Sequence, residues 1–206
     1  MKLYVIATGN YSSQEFLERA EACMKGGADW IQLRVKEREK LEELAGPFAS
    51  LSRKYRTVFI INDFVDVAAR LADGAHVGKD DMEPEQAREK LGNKLLGVSC
   101  YNQLSRAIRA EKAGADYVAF GAVFPSPTKP AAIRVSEDVI VKAKQLLKTK
   151  ICLIGGISPD NLPQVIRLKP DIIAVSSAIF ASHDPEKETK LFKQIMGELT
   201  AHQGQD

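Results

Sequence analysis

The sequence is poor in cysteine and contains no long hydrophobic run. Its three cysteines, Cys23, Cys100 and Cys152, are odd in number and lie too far apart for a Cys-x-x-Cys pair. This usage argues against a disulfide framework or a cysteine metal site and predicts reduced thiols, as in the cytoplasm. No apolar run approaches the roughly 18 residues of a membrane span, and the chain turns polar at Thr8, too early for a signal peptide. We therefore expect a cytoplasmic protein that has no membrane partner.

The chain also lacks an excess of either charge. Its 29 Lys and Arg residues nearly balance 27 Asp and Glu residues, which leaves a formal net charge of +2. Such a balance does not favour nucleic acid or a membrane surface as a partner, so affinity for an anion would need a local cluster of cations. The hydrophobic fraction of 45% excludes a disordered chain, and 206 residues suit one domain.

Short β-branched runs alternate with helical patterns along the whole chain. Most of these runs are almost entirely apolar, which is typical of parallel strands buried on both faces. The predicted strands are Leu3–Ala7, Trp30–Leu33, Val58–Ile61, Gly74–Val77, Leu95–Ser99, Tyr117–Phe120, Ile151–Ile154 and Ile172–Val175. Serines at Ser12 and Ser136 precede acidic residues and predict the starts of two helices.

A weak internal repeat accompanies the alternation. Asp29, Asp73, Asp116 and Asp171 each stand directly before a predicted strand. We interpret them as structural residues that order the turn from helix to strand. Eight strand–helix units predict an α/β fold with a single (β/α)8 TIM barrel over residues 1–206. A doubly wound open sheet is the alternative, but no Gly-x-Gly-x-x-Gly motif follows the first strand.

Polar residues gather where the predicted strands end. In a parallel barrel these ends meet on one face, so side chains distant in sequence should converge there. The residues are Gln32, Arg34 and Lys36 after the second strand, Asn62 and Asp63 after the third, Asp81 after the fourth, Ser99 at the end of the fifth, Ser126, Thr128 and Lys129 after the sixth, Gly155 and Gly156 after the seventh, and Ser176 and Ser177 after the eighth.

The chemistry of this set suits phosphorylated ligands. Arg34, Lys36 and Lys129 would place three cations at one mouth, enough for a diphosphate. Asp63 and Asp81 offer the hard oxygens that Mg²⁺ prefers. The ends of the seventh and eighth strands are the usual phosphate site of such barrels. Two anion sites and a metal predict a reaction that joins two phosphorylated molecules.

Each residue also has a simpler interpretation. Arg34 and Lys36 taken alone are typical of solvated surface charges. Asp81 could belong to a helix cap before Pro84, and Ser176 could cap a short final helix. The prediction of a site depends on their joint placement at consecutive strand ends.

Several segments together resemble the thiamine-phosphate synthase family, in order from Leu3 to about Pro185. The segments are Gln32-Leu33-Arg34-Val35-Lys36, Ile60-Ile61-Asn62-Asp63, Ala72-Asp73-Gly74-Ala75-His76-Val77-Gly78-Lys79-Asp80-Asp81, Gly97-Val98-Ser99, Gly114-Ala115-Asp116-Tyr117 and Phe124-Pro125-Ser126-Pro127-Thr128-Lys129. The resemblance implies a small (β/α)8 transferase of thiamine biosynthesis. Such an enzyme joins hydroxymethylpyrimidine diphosphate to hydroxyethylthiazole phosphate and releases pyrophosphate in a dissociative, Mg²⁺-assisted substitution.

The resemblance also implies a role for each candidate residue. Gln32, Arg34, Lys36, Asn62 and Lys129 would hold the pyrimidine diphosphate, and Asp63 and Asp81 would bind Mg²⁺. Ser99 would contact the pyrimidine or the departing pyrophosphate, and Ser126, Thr128, Gly156, Ser176 and Ser177 would receive the thiazole phosphate. The residues given catalytic roles are Arg34, Lys36, Asn62, Ser99 and Lys129.

The chain departs from the family pattern at Gly9-Asn10, Phe64 and Lys79. A related thiazole tautomerase is one alternative, although it carries a histidine two residues after Ser99, where this chain has Tyr101. A non-catalytic phosphate binder and another phosphosugar barrel enzyme are the others. We expect His76 to be a packed or hydrogen-bonded barrel residue, and homo-oligomerisation remains open.

Overall fold

Eight parallel strands close into a barrel in the computed structural model, which describes residues 1–125 and 133–202. Each strand pairs with its sequence neighbours, and the last strand pairs with the first, Lys2 lying opposite Ile172. The strands are β1 (Lys2–Ala7), β2 (Trp30–Leu33), β3 (Val58–Asn62), β4 (Gly74–Val77), β5 (Leu95–Tyr101), β6 (Tyr117–Phe120), β7 (Lys150–Ile154) and β8 (Ile172–Val175). The prediction of a (β/α)8 TIM barrel is confirmed, and the open-sheet alternative is wrong because the sheet closes on itself.

Helices connect the strands on the outside of the barrel. Those of the described residues are α1 (Ser13–Lys25), α2 (Arg38–Tyr55), α3 (Val65–Leu71), α4 (Pro84–Leu91), α5 (Leu104–Lys112), α6 (Glu137–Leu146), α7 (Leu162–Arg167), α8 (Ser177–Phe180) and α9 (Pro185–His202). Ser12 caps α1, since its hydroxyl accepts a hydrogen bond from the Glu15 N–H at 3.2 Å. Ser136 precedes α6 as predicted, without a side-chain cap bond.

The apolar residues form two separate cores. The larger core lies between the strands and the helices, and the smaller one fills the barrel interior. Trp30 packs edge-on in the interior against Tyr4 and Tyr117, with ring centroids 5.6 and 5.3 Å apart. Because these side chains fill the interior, we expect a ligand to bind at a rim of the barrel and not inside it.

The four repeated aspartates fasten the other rim, where the strands begin. Each carboxylate accepts a hydrogen bond from a backbone N–H of the preceding strand. Asp29, Asp73, Asp116 and Asp171 accept from Leu3, Phe59, Leu96 and Ile151, each at 2.8 Å. The structural interpretation of this repeat is confirmed, because the same bond recurs at every second strand.

The three cysteines are free and buried. Burial raises the pKa of Cys23 and that of Cys100 to about 12, so both remain protonated thiols at neutral pH. Across the part of the chain that the structure describes, no helix is both long enough and apolar enough to span a membrane.

The aspartate repeat yields a stability prediction at Asp73. We expect Asp73→Ala to lower the free energy of unfolding by about 1–3 kcal/mol, since it removes a charged acceptor from a backbone N–H. Asp73→Asn keeps an oxygen acceptor and should lose less. Thermal melts of both variants would check this, and equal melting temperatures for Asp73→Ala and the wild type would contradict it.

Candidate active site

The acidic candidates lie at the carboxyl-terminal rim of the barrel, on neighbouring strand ends. Asp63 follows β3 and adopts a left-handed backbone conformation with φ of 65°. Its N–H donates to the His76 carbonyl oxygen at 2.9 Å, and its own carbonyl accepts from the Val65 N–H at 2.9 Å. This tight turn into α3 holds the Asp63 carboxylate at the rim.

Asp81 lies in the loop after β4 and turns back toward the same point. Its carboxylate accepts a hydrogen bond from the Gly78 N–H at 2.7 Å. Burial, and then contact with the Asp63 carboxyl, raise the pKa of Asp81, while nearby Lys36 acts in the opposite direction. The helix-cap interpretation of Asp81 is wrong, because α4 begins at Pro84 after Glu83 and Asp81 bonds within its own loop.

Lys36 completes this cluster from β2. Its ammonium lies 2.8 Å from the Asp63 carboxylate, and its side chain remains largely exposed. The structure thus brings Lys36, Asp63 and Asp81 together from three strand ends. Two adjacent carboxylates fit the hard-oxygen preference of Mg²⁺, which commonly uses one or two carboxylates and completes its shell with water and phosphate oxygens. Among the described residues there is no larger group, of three or more His, Cys, Asp or Glu side chains, that could hold a metal ion by itself.

Gln32 points into the barrel, below the rim. It is buried, and its amide nitrogen donates to the Tyr4 hydroxyl at 2.6 Å. The Tyr4 hydroxyl in turn lies 3.0 Å from that of Tyr117. Burial raises the pKa of both tyrosines, so both remain neutral phenols.

Ser99 lies at the rim and bonds to His76 inside the barrel. Its hydroxyl is 2.8 Å from His76 Nε2, and its carbonyl accepts from Arg106 Nε at 2.7 Å. His76 Nδ1 lies 3.0 Å from the Tyr117 hydroxyl. The expectation of a hydrogen-bonded barrel histidine is confirmed. The sequence analysis did not single out Tyr4 and Tyr117, because a tyrosine in an apolar strand carries no signal beyond packing.

Two further candidates are left available to a ligand. Asn62 ends β3 with a buried side chain, and Arg34 follows β2 and is half-buried. Neither side chain forms a hydrogen bond or an ion pair with another described residue, and the amide atoms of Asn62 are not among the fully buried ones. The Arg34 charge nevertheless lies near His76, whose pKa it helps to lower after the larger effect of burial.

The loop ends of β6 and β7 are in close contact. The Val123 N–H donates to the Ile154 carbonyl at 3.0 Å, and the Phe124 N–H donates to the Gly155 carbonyl at 3.0 Å. Gly156 has φ of 65°, and its α-carbon faces the carbonyl oxygens of Phe124 and Pro125. The positions predicted for thiazole phosphate at Ser126 and Thr128, and for diphosphate at Lys129, lie outside the described residues.

Ser176 and Ser177 follow β8, beside the Gly155-Gly156 turn of β7. Ser176 precedes α8 but makes no side-chain cap bond, and its hydroxyl donates to the Ile6 carbonyl at 3.4 Å. The two serines follow β8 and so lie on the same rim as the carboxylates. Ser176 occupies the predicted cap position of α8, where its carbonyl oxygen accepts from the Phe180 N–H at 2.8 Å, but its hydroxyl takes no part in the cap.

Two of the departures from the family pattern have local structural explanations. The Arg38 guanidinium lies over the Phe64 ring, with its central carbon 5.7 Å from the ring centroid. Helix α2 therefore supplies a cation close to position 64. The Lys79 N–H donates to the Tyr101 hydroxyl at 3.2 Å, which fixes the tyrosine over the loop that carries Asp81.

Comparison with known proteins agrees with the geometry. A family model described as thiamine monophosphate synthase matches residues 3–179. The chain is 41% identical to the thiamine-phosphate synthase of Thioalkalivibrio sulfidiphilus over 86% of each chain, and 38% identical to that of Aromatoleum aromaticum over 94% of this chain and 95% of the other. The chain belongs to the thiamine monophosphate synthase family.

Solved structures include one relative and other barrels of the same fold. Thiamine phosphate pyrophosphorylase from Pyrococcus furiosus superposes with a TM-score of 0.85 at 34% identity, over 96% of both chains. The 3-hexulose-6-phosphate synthase from Salmonella typhimurium reaches a TM-score of 0.72 at 21% identity, over 97% of this chain and 100% of the other. That second likeness concerns the fold alone.

The burial of His76 in this thiamine monophosphate synthase family member predicts a pH-dependent stability. Burial lowers its pKa to about 4, whereas the unfolded chain should titrate near 6.5. Between these two pKa values only the unfolded state binds the proton. The free energy of unfolding therefore falls by up to about 3 kcal/mol as the pH is lowered. Melts without added divalent cations would compare the wild type with His76→Gln. The difference between their melting temperatures should be constant above pH 7. Below pH 6.5 the wild type should lose stability relative to His76→Gln, and a difference that stays constant at every pH would contradict this.

Gly156 offers a second stability prediction. An alanine Cβ there would lie 2.7 Å from the Phe124 carbonyl oxygen and would also overlap that of Pro125. Gly27 also has a positive φ, of 96°, but an added Cβ would meet only Lys193 Cγ at 3.8 Å. Gly27→Ala should therefore cost only the backbone strain of about 1–2 kcal/mol, and Gly156→Ala clearly more. Equal melting temperatures for the two variants would contradict the close packing of the loops.

Proposed function

We propose that this chain is a thiamine-phosphate synthase. It joins hydroxymethylpyrimidine diphosphate to hydroxyethylthiazole phosphate and releases pyrophosphate. The observation that carries the proposal is the meeting of Lys36, Asp63 and Asp81, which three separate strands deliver to one point on the rim. Membership of the thiamine monophosphate synthase family supports it over most of the chain.

The pyrimidine diphosphate binds between β2 and β4. Arg34 and Lys36 contact its phosphates together with Lys129, so that three cations offset the charge of the diphosphate. Asn62, which has no side-chain partner among the described residues, and Gln32 contact the same substrate from the upper part of the barrel. The half-buried position of Arg34 strengthens its attraction for an anion relative to a fully exposed cation.

Asp63 and Asp81 hold Mg²⁺ in this proposal. Their contact and the raised pKa of Asp81 support this proposal, because two neighbouring carboxyl groups favour a nearby cation and Lys36 already lies beside Asp63. When bound, the metal would supply positive charge to the phosphate oxygens. Lys36 can contact both Asp63 and the diphosphate because its long side chain is largely exposed.

The reaction is a dissociative substitution at the pyrimidine methylene carbon. The bond from that carbon to the diphosphate oxygen breaks, and its electron pair leaves with pyrophosphate. The thiazole nitrogen then donates its lone pair to form the new carbon–nitrogen bond. Arg34, Lys36 and Lys129 stabilise the negative charge that grows on the leaving group. No covalent intermediate is needed, so the protonated, buried thiols of Cys23 and Cys100 have no part in it.

The thiazole phosphate binds on the adjacent part of the rim. Gly156, Ser176 and Ser177 receive its phosphate, with Ser126 and Thr128 from the preceding loop. Glycine at position 156 leaves the backbone accessible, and β7 and β8 are the usual phosphate-binding strands of such barrels. Because the barrel is closed, this site lies across the same mouth from the diphosphate site.

The free, buried cysteines support the cytoplasm as the location. The tautomerase alternative lacks support here, because Tyr101 occupies the position of its histidine and the Tyr101 hydroxyl accepts a hydrogen bond from the Lys79 N–H. A non-catalytic phosphate binder would have no need of the carboxylate pair at Asp63 and Asp81.

The decisive experiment incubates purified protein with both substrates and Mg²⁺ and measures pyrophosphate and thiamine phosphate. We expect both products in equal amounts, and none when either substrate or the metal is omitted. Binding of thiazole phosphate without product would favour the non-catalytic alternative. Isomerisation of the thiazole phosphate alone would favour the tautomerase.

Asp80 and Asp81 form a matched pair for testing the metal site. Asp81→Asn removes a proposed ligand, and we expect kcat/KM to fall about 100-fold or more, with a higher Mg²⁺ requirement. Asp80→Asn makes the same change of charge on the neighbouring residue and should alter kcat/KM less than about threefold. Asp63→Ala should behave as Asp81→Asn does. Normal turnover of Asp63→Ala at limiting Mg²⁺ would refute the assignment.

A further inference from the structure

A continuous series of hydrogen bonds crosses the barrel interior beneath the rim. It runs from Gln32 to Tyr4 at 2.6 Å, to Tyr117 at 3.0 Å, to His76 at 3.0 Å and to Ser99 at 2.8 Å. Five different strands supply these side chains. The first four are buried, whereas Ser99 is half-buried and lies at the mouth. The series therefore connects the buried interior of the barrel to Ser99 at the mouth.

The direction of these bonds follows from counting hydrogens. The Gln32 amide nitrogen donates to Tyr4, and the Tyr4 hydroxyl has no further partner among the described residues except Tyr117. A buried hydroxyl hydrogen needs an acceptor, so Tyr4 donates to Tyr117. The Tyr117 hydroxyl then donates to His76 Nδ1, and the one remaining imidazole hydrogen lies on Nε2. A doubly protonated imidazole would leave the two tyrosines with one hydrogen too many for the acceptors present.

This direction determines what Ser99 can offer to a ligand. Its oxygen accepts from His76 Nε2, so the serine hydrogen is left free to donate elsewhere. Arg106 holds the Ser99 carbonyl from the other side, at 2.7 Å. With the bonds reversed, Ser99 would donate to His76 and would present only lone pairs at the mouth. The same histidine also accepts the Asp63 N–H at 2.9 Å through its carbonyl, so it anchors two parts of the rim.

We infer that His76 is a positioning residue that fixes the Ser99 hydroxyl as a hydrogen-bond donor to an acceptor atom of the pyrimidine diphosphate. This inference rests on the proposed function for the identity of the ligand. Tyr117 and Tyr4 serve the same purpose indirectly, because Tyr4 donates to Tyr117 and Tyr117 donates to His76 Nδ1. The Ser99 hydroxyl thereby favours a substrate atom with a lone pair over an amino group at the same place.

Nitrogen NMR of histidine-labelled protein tests the bond direction without substrate. The chain has three histidines, and the signals that His76→Gln removes identify His76. We expect the Nε2-protonated tautomer in the wild type. Tyr117→Phe removes the donor to Nδ1 and should allow protonation to move to that nitrogen. An Nδ1-protonated tautomer in the wild type would overturn the inference.

Steady-state kinetics tests the consequence for the substrate through a double-mutant cycle. His76→Phe should lower kcat/KM for the pyrimidine diphosphate about tenfold, the value of one hydrogen bond, and should leave KM for the thiazole phosphate unchanged. In a Ser99→Ala background the same substitution should have no further effect. His76→Gln retains an amide donor and should recover part of the loss. Additive effects, or equal changes for both substrates, would overturn the inference.

Two further variants separate positioning from folding. Tyr117→Phe keeps His76 and a filled interior, and it should reproduce the loss of kcat/KM for the pyrimidine diphosphate. It provides the test if His76→Phe does not fold. Cys152→Ala changes a buried side chain of the same inner core, outside the hydrogen-bonded series. It should lower the melting temperature and leave both KM values unchanged. If Cys152→Ala lowered kcat/KM for the pyrimidine diphosphate as much as Tyr117→Phe does, positioning by the hydrogen-bonded series would be wrong.

The two proposals fail in different ways. A wild-type protein that forms no thiamine phosphate would refute the proposed function and, with it, the identity of the ligand at Ser99, while the tautomer of His76 would still be measured. An active wild type with an additive cycle would refute only the positioning role.

Discussion

Closure of the parallel sheet is the constraint on which the rest of this molecule depends. The pairing of β8 with β1 satisfies the last row of backbone hydrogen bonds and brings all eight carboxyl ends onto one ring. Residues as distant in sequence as Lys36 and Ser176 therefore lie on the same rim. The four aspartates secure the opposite rim by accepting backbone N–H groups that begin alternate strands. The rim with the four aspartates thus stabilises the fold, and the opposite rim carries the candidate site.

Polar side chains inside the barrel are hydrogen-bonded to one another and support the rim above them. Polar groups in a filled core are costly unless each finds a partner. Tyr4, His76 and Tyr117 meet this requirement by bonding to one another, and no fully buried side-chain polar atom of the described residues lacks a partner. Because these bonds are short and surrounded by packed rings, they give the rim a rigid base. The rigidity matters for catalysis, since a group held in place beforehand does not need to reorganise when charge develops.

The electrostatics of the rim are local. A chain with a net charge of +2 has no strong overall field. The proposed attraction for a diphosphate therefore depends on Arg34, Lys36, Lys129 and a cation held by the carboxylate pair. Lys36 links the two halves of this arrangement, because it contacts Asp63 and remains exposed to a ligand. The barrel fold alone carries no such information: the hexulose-phosphate synthase barrel shares the fold at only 21% identity.

The sequence by itself determined the secondary structure and the kind of chemistry. Strand bounds followed from apolar β-branched runs to within two residues at each end, because burial on both faces leaves a local signature. It also singled out Asp63 and Asp81 as candidate oxygen ligands. Only the tertiary structure decided that their carboxyls meet, that Asp81 is not a helix cap, and that Tyr4 and Tyr117 connect Gln32 to Ser99. Local patterns report the environment of a single segment, whereas these contacts arise between strands that barrel closure brings side by side.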